Sequence, residues 1–70
     1  MGPQENAERL VEMGIEFKVY NNGYQFNIDT EKGIISFYPT TNKWVLKGKT
    51  YKGDADRLIA FIYDDLEDQL

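Results

Sequence analysis

Cysteine and histidine are both missing from these 70 residues, and their absence removes a large part of protein chemistry at once. Without thiols there is no disulfide, no thiolate nucleophile and no cysteine zinc site, and without imidazole the usual neutral-pH proton carrier is gone. A reducing compartment suits such a chain. No apolar run is long enough to span a bilayer and no stretch has the form of a signal peptide, so the sequence predicts a cytoplasmic protein. Proline occurs only at Pro3 and Pro39, and tryptophan only at Trp44. With no repeat, low-complexity tract or linker composition, residues 1–70 are expected to form one domain. Its core is marginal at this size, so a homodimer or another partner is one route to further burial.

What is present is a run of alternating apolar residues punctuated by turn formers between Gly14 and Gly48. Asn22-Gly23 suits a two-residue type I′ turn, in which both central residues need positive φ. That turn sets Val19 opposite Phe26 and Phe17 opposite Ile28, with Lys18 and Tyr20 meeting Asn27 and Gln25 on the other face. Thr30-Glu31-Lys32-Gly33 makes the next turn and aligns Ile28 with Ile35 and Phe26 with Phe37. Pro39-Thr40-Thr41-Asn42 closes a third, aligning Phe37 with Trp44 and Ile35 with Leu46. Three turns chosen locally give one continuous apolar face. The spacing predicts strands at about 15–20, 24–28, 34–38 and 43–47, and Trp44 falls on the inner side. A brief fifth strand at Thr50-Tyr51, after a tight turn at Lys47-Gly48-Lys49, is held as an addition to this four-stranded meander.

Helices are expected at both ends. Pro3 suits a first turn, Glu5 and Glu8 complement the dipole, and Ala7, Leu10 and Val11 supply an apolar stripe up to Gly14 as the C-terminal stop. The first helix therefore covers about 3–13. Asp54 is the natural N-cap of a second helix over about 54–68, with Ala55, Leu58, Ile59, Ile62 and Leu66 as its stripe and Phe61 at the edge. Two amphipathic helices and one apolar sheet face make a two-layer α+β domain, α-β-β-β-β-α, with both helices on one face. The other face stays open and displays Glu16, Lys18, Tyr20, Gln25, Asn27, Ile34, Ser36, Tyr38, Lys43, Val45 and Lys47.

The formal charge of −4 is unevenly spread. Lys43, Lys47, Lys49 and Lys52 occupy residues 40–53 with no acid among them, whereas the remaining chain sets 12 acids against four bases. The acids crowd Asp64, Asp65, Glu67 and Asp68 onto an exposed helix end, where no cleft is expected to hold a catalytic pair. No EF-hand spacing and no phosphate-loop pattern occurs. The sequence therefore predicts a protein that is not an enzyme, with no catalytic residue, cofactor or metal.

Two kinds of binding remain. The first is attachment to another protein, possible targets being met through a surface of Tyr20, Ile34, Tyr38, Lys43, Val45, Lys47, Lys49 and Lys52. The acidic group Asp64, Asp65, Glu67 and Asp68, with Glu5, Glu8 and Glu12, offers a second surface that fits a basic groove. The alternative is nucleic acid, held by Lys43, Lys47, Lys49 and Lys52 with Tyr20 and Tyr38 as stacking rings. Lysines on an edge hairpin also serve to prevent edge-to-edge aggregation, and charged exteriors serve solubility.

The segment Phe37-Tyr38-Pro39-Thr40-Thr41-Asn42-Lys43-Trp44 resembles small uncharacterised proteins encoded by tailed phages and prophages. These share a helix, a Gly-Ile-x-Phe strand, an Asn-Gly turn and an aromatic-x-Pro-x-Thr-x-Lys-Trp segment. Gly14-Ile15-Glu16-Phe17, Asn22-Gly23 and Lys43-Trp44 fall in that order here, followed by Gly53 and the helix with Leu58 and Ile59, so that the likeness covers about residues 7–62. The resemblance implies a fold and a phage origin and says little about activity, its motifs being mostly turn and core residues; modulation of a host process is expected of the chain as a protein-binding protein. Asn42 stands where such proteins carry glycine, and Asp64 and Asp65 where they carry bases. The element order also resembles the double-stranded RNA-binding domain, but Asp54 and Asp56 occupy the place of that domain's lysines.

Overall fold

A computed structural model describes the backbone of residues 1–67 and the side chains of residues 1–64. Its first hairpin turns where the sequence placed it. Asn22 (φ 55°, ψ 35°) and Gly23 (φ 93°) are the two left-handed residues of a type I′ turn, closed by the Tyr24 amide donating to the Asn21 carbonyl at 3.1 Å. Strands β1 (Lys18–Tyr20) and β2 (Gln25–Thr30) flank it, with Val19 opposite Phe26 as the turn requires. Asn21 is left-handed as well (φ 55°), so the ladder ends at Tyr20 and Gln25.

Strand β1 is shorter than the expected 15–20, because the preceding helix keeps hold of the chain. Gly14 (φ 72°) donates to the Val11 carbonyl and Ile15 donates to the Leu10 carbonyl, each at 3.0 Å. These two bonds are a Schellman motif. They tie Gly14 and Ile15 to the end of α1 (Pro3–Glu12), and pairing with β2 begins only at Lys18.

Thr30 and Gly33 pair across the second hairpin, where Thr30 Oγ1 donates to the Gly33 carbonyl at 2.6 Å, and β3 (Gly33–Tyr38) follows. The Tyr38 carbonyl accepts from the amides of Thr41 (3.2 Å) and Asn42 (2.9 Å), closing the Pro39 turn before β4 (Lys43–Leu46). Phe37 then meets Trp44 as expected.

The four-stranded expectation is corrected to five. Lys47 (φ 50°) and Gly48 (φ 78°) are both left-handed, the requirement of another tight hairpin, and β5 (Lys49–Lys52) pairs with β4 along its whole length. Trp44 and Tyr51, directly opposite, stack at 5.5 Å with planes 11° apart. All five strands are antiparallel neighbours in chain order.

Helix α2 (Ala55–Glu67) starts at Asp54, whose Oδ1 accepts from the Arg57 amide at 3.0 Å. This is the N-cap bond that the sequence called for. Leu10 from α1 and Ala55, Leu58 and Ile59 from α2 join Phe26, Ile28, Ile35, Phe37, Trp44 and Leu46 in one buried cluster, so both helices cover the same sheet face. Phe61 and Ile62 pack at its edge; Leu66 lies outside the described side chains. Each large side chain removed from water here contributes roughly 1.5–3 kcal/mol before entropy is charged against it.

Two inward expectations fail for geometric reasons. Val11 is 66% exposed: the inward line of α1 runs through Asn6 and Leu10, one turn apart, and Val11 is rotated off it. Val19 is 57% exposed although it faces Phe26, because β1 is the outer strand and lies beyond the cover of the helices. Phe17 compensates in part by stacking on Phe26 at 4.6 Å.

Candidate functional site

Cross-strand partners in an antiparallel sheet share a face, so the registers assemble the open face row by row. Tyr20 pairs with Gln25; the β2–β3 register carries Gln25 to Tyr38; Tyr38 pairs with Lys43 and Lys43 with Lys52. One side chain from every strand thus forms a straight line, Tyr20, Gln25, Tyr38, Lys43, Lys52. Successive strands are ~4.8 Å apart, so the line spans roughly 19 Å. A parallel row beside it holds Lys18, Asn27, Ser36, Val45 and Thr50. Asp29 and Ile34 start a third.

The first row is aromatic at one end and cationic at the other. Tyr20 is 45% exposed, and the Lys43 Nζ lies 5.8 Å from the centre of the half-buried Tyr38 ring. Lys43 and Lys52 stand directly opposite one another, and among the described residues neither is ion-paired. Like charges so placed destabilise a sheet. Between the rows runs a polar chain: Asn21 Nδ2 donates to Gln25 Oε1 (2.9 Å), and Gln25 Nε2 donates to Asn27 Oδ1 (2.8 Å), which also accepts from Ser36 Oγ (3.3 Å). Gln25 is thereby held across the gap between the tyrosines.

The lysines that are close in sequence are divided in space. Lys43 and Lys52 share the open face; Lys47 sits in the β4–β5 turn beside Gly33; Lys49, opposite Leu46, belongs to the inner face with its Nζ 5.3 Å from the Tyr51 ring. Ile34 is 60% exposed and Val45 half-buried on the open face. Tyr20 and Ile34 also border an open groove of about 840 Å³ against Gly14, Ile15 and Phe17.

The acids lie behind. Glu5, Glu8 and Glu12 on α1 and Asp56 and Asp64 on α2 are exposed on the helical layer, where Arg9 links the helices through Asp56 at 3.2 Å and reaches Glu12 at 3.8 Å. Of the remaining acidic candidates, the side chains of Asp65 and Glu67, and Asp68 altogether, lie outside the described residues. On the sheet, Lys18 shares the groove beside Ile34 with Glu16 and Asp29, whereas Lys43 and Lys52 stand on strands further along the face, in another row. Among the described residues the helical layer is mainly acidic, and the Lys43–Lys52 end of the sheet face is basic. No three carboxylates among them lie close enough to hold a metal ion, and among the same described residues no helix is long and apolar enough to cross a membrane.

One residue that supports this face escaped the sequence reading. Asn6 is fully buried, donates from Nδ2 to the Pro39 carbonyl (2.8 Å) and to Asn42 Oδ1 (2.9 Å), and accepts at Oδ1 from the Ala55 amide (2.9 Å). Asn42, left-handed at φ 54°, donates in turn to the Met1 carbonyl at 3.0 Å. Its own carbonyl takes the Gly53 amide at 2.8 Å. Asn6 thus fixes the turn that carries Tyr38 into Lys43 and satisfies the first amide of α2. The signal was a polar residue four positions before Leu10, on the inward line of the helix.

No family model matches the chain, and no curated protein or solved structure matches it significantly. The surface itself carries the functional reading.

Proposed function

We propose that this protein is a non-enzymatic binding module that takes nucleic acid on the open face of its sheet. The observation that carries the reading is the opposed Lys43–Lys52 pair beside Tyr38, on the side turned away from the acidic helices. A like-charged pair with no carboxylate neighbour is stabilised when a polyanion lies across it, and an adjacent ring adds stacking. The net charge of −4 does not oppose this. Acids on the outer helical surfaces lie on the layer opposite this face, and charges are screened within about 8 Å at physiological salt. The sequence alone ranks a protein partner first; the pairing of Lys43 with Lys52 beside Tyr38 supports placing nucleic acid ahead of it here, and the resemblance to phage-encoded proteins suits either role.

The test is fluorescence anisotropy of labelled DNA and RNA, single-stranded and duplex, across a salt series. Two phosphate contacts give a log–log slope of about −1.4 on a single strand, about a sevenfold loss from roughly 50 to 200 mM salt. Lys43→Glu removes the binding. Absence of binding at low salt, or a salt-independent affinity, overturns the proposal.

A protein partner is the second reading, favoured by exposed Ile34 on this face and by Val11, Val19 and Tyr24, which are 66%, 57% and 61% exposed. It predicts a specific co-purifying protein that is lost on Ile34→Asp. Recovery of the same protein by both forms refutes it.

A further inference from the structure

We propose that the ligand of the open face is a short single strand lying across the sheet, with bases stacked on Tyr20 and Tyr38 and phosphates at Lys43 and Lys52. This rests on the nucleic-acid reading and specifies the form of nucleic acid and its direction across the five strands. Three observations carry it.

The first is the order of the row. Tyr20, Gln25, Tyr38, Lys43 and Lys52 follow one another from one sheet edge to the other, so rings and charges lie along a single line rather than in two separate patches. The two tyrosines are two strand steps apart, ~10 Å, with Gln25 between them. Two bases splayed onto the rings leave room for the polar edge of Gln25 between them. The charged pair follows within another ~5–10 Å, within reach of the backbone of the same strand.

The second is the small number of cations. Two lysines alone give weak, strongly screened attachment, so a useful affinity must come from the rings. Exposed or half-buried rings on an open face are accessible to the flat faces of unpaired bases, whereas in a duplex those faces are covered by neighbouring pairs. The third is rigidity. Tyr38 and Lys43 are the two ends of the turn that buried Asn6 clamps through the Pro39 carbonyl and Asn42, and the Asn21–Gln25–Asn27 chain fixes the row between the tyrosines. The spacing of the row is therefore set before any ligand arrives, which lowers the ordering cost of binding.

The experiment uses the full chain and three labelled probes of about 12 units, a length suited to one small sheet face: an oligothymidylate, a matched duplex, and an abasic deoxyribose-phosphate strand. Stacking predicts that the oligothymidylate binds at least roughly tenfold more tightly than either of the others, and that Tyr20→Ala or Tyr38→Ala weakens it about five- to hundredfold. Tyr38→Phe keeps the ring and keeps the binding. Both tyrosines are at the surface or half-buried, and Trp44 fluorescence with far-UV circular dichroism verifies that each variant is folded. If the abasic strand or the duplex binds as tightly as the oligothymidylate, or if neither alanine variant weakens binding, the single-strand inference falls while nucleic-acid binding stands. If no probe binds at low salt, the nucleic-acid reading falls, and this inference with it.

Discussion

Asn6→Ala is expected to be the most damaging small change on α1, although it removes no apolar surface. The side chain is fully buried and makes three bonds of 2.8–2.9 Å to three parts of the chain: the Pro39 carbonyl, Asn42 and the Ala55 amide. Alanine leaves the Pro39 carbonyl and the Ala55 amide without that partner at a fully buried site. Each orphaned buried group costs about 1–3 kcal/mol, so the loss is roughly 2–6 kcal/mol. A chain of this length has a total stability of roughly 3–10 kcal/mol. At about 4–8 °C per kcal/mol, the melting temperature should fall by at least ~8 °C. Thermal and urea unfolding followed by Trp44 fluorescence measures it. Asn6→Asp separates bonding from shape: the carboxylate still accepts from the Ala55 amide but faces the Pro39 and Asn42 oxygens without a proton to donate. Burial and those oxygens raise its folded pKa above the unfolded value, so the folded state binds the proton more tightly. The destabilisation is therefore largest above the raised pKa and relaxes as pH falls toward the unfolded value. A change within about 0.5 kcal/mol for the alanine variant, the range of an ordinary surface substitution, refutes the reasoning. So does an aspartate variant indifferent to pH.

Gly53→Ala is expected to destabilise by about 1–3 kcal/mol through overpacking, because a Cβ there lies 2.9 Å from the Trp44 ring and 2.6 Å from Arg57 Cβ; urea unfolding at neutral pH measures the shift. Gly14→Ala acts by another route, forcing a left-handed φ of 72° at the Schellman position with open space around the new methyl; about 1–2 kcal/mol is expected, and a value near zero refutes the cap's role. Arg9→Gln breaks the 3.2 Å bond to Asp56, but both side chains are about half exposed, so less than ~1 kcal/mol should be lost and the effect should fade with added salt. Phe37→Ala, at the fully buried centre of the sheet, is expected to cost about 3–5 kcal/mol and to leave little folded protein at physiological temperature.

The sequence by itself determined the register of the sheet, because register is decided locally. Asn22-Gly23, the Gly33 turn and the Pro39 turn each fix which residue meets which, and a slip of one would have turned Phe26, Ile28, Ile35 and Phe37 to solvent. The capping residues were legible for the same reason: Gly14 and Asp54 satisfy nearby backbone groups and need no distant partner. The extent of β1 was not legible, because the Schellman bonds of the preceding helix compete with pairing to β2, and only the folded chain decides that competition. Nor was the completeness of β5, which depends on Tyr51 stacking against Trp44 and Phe61. Asn6 was hidden because its three partners lie 33 to 49 residues away in the chain.

The candidate surface followed the same division. Tyr20, Tyr38, Lys43 and Lys52 were each visible in the sequence, and pairwise register was enough to put three of them on the open face. Their alignment into one row needs five strands counted together, and the separation of Lys49 from Lys43 needs the hairpin actually formed. Above all, among the described residues of a chain of net charge −4, Lys43 and Lys52 came together at one end of the open face while most acids went to the helical layer. Sequence fixes how many charges there are, but only the packing of both helices on one sheet face decides which surface each charge occupies.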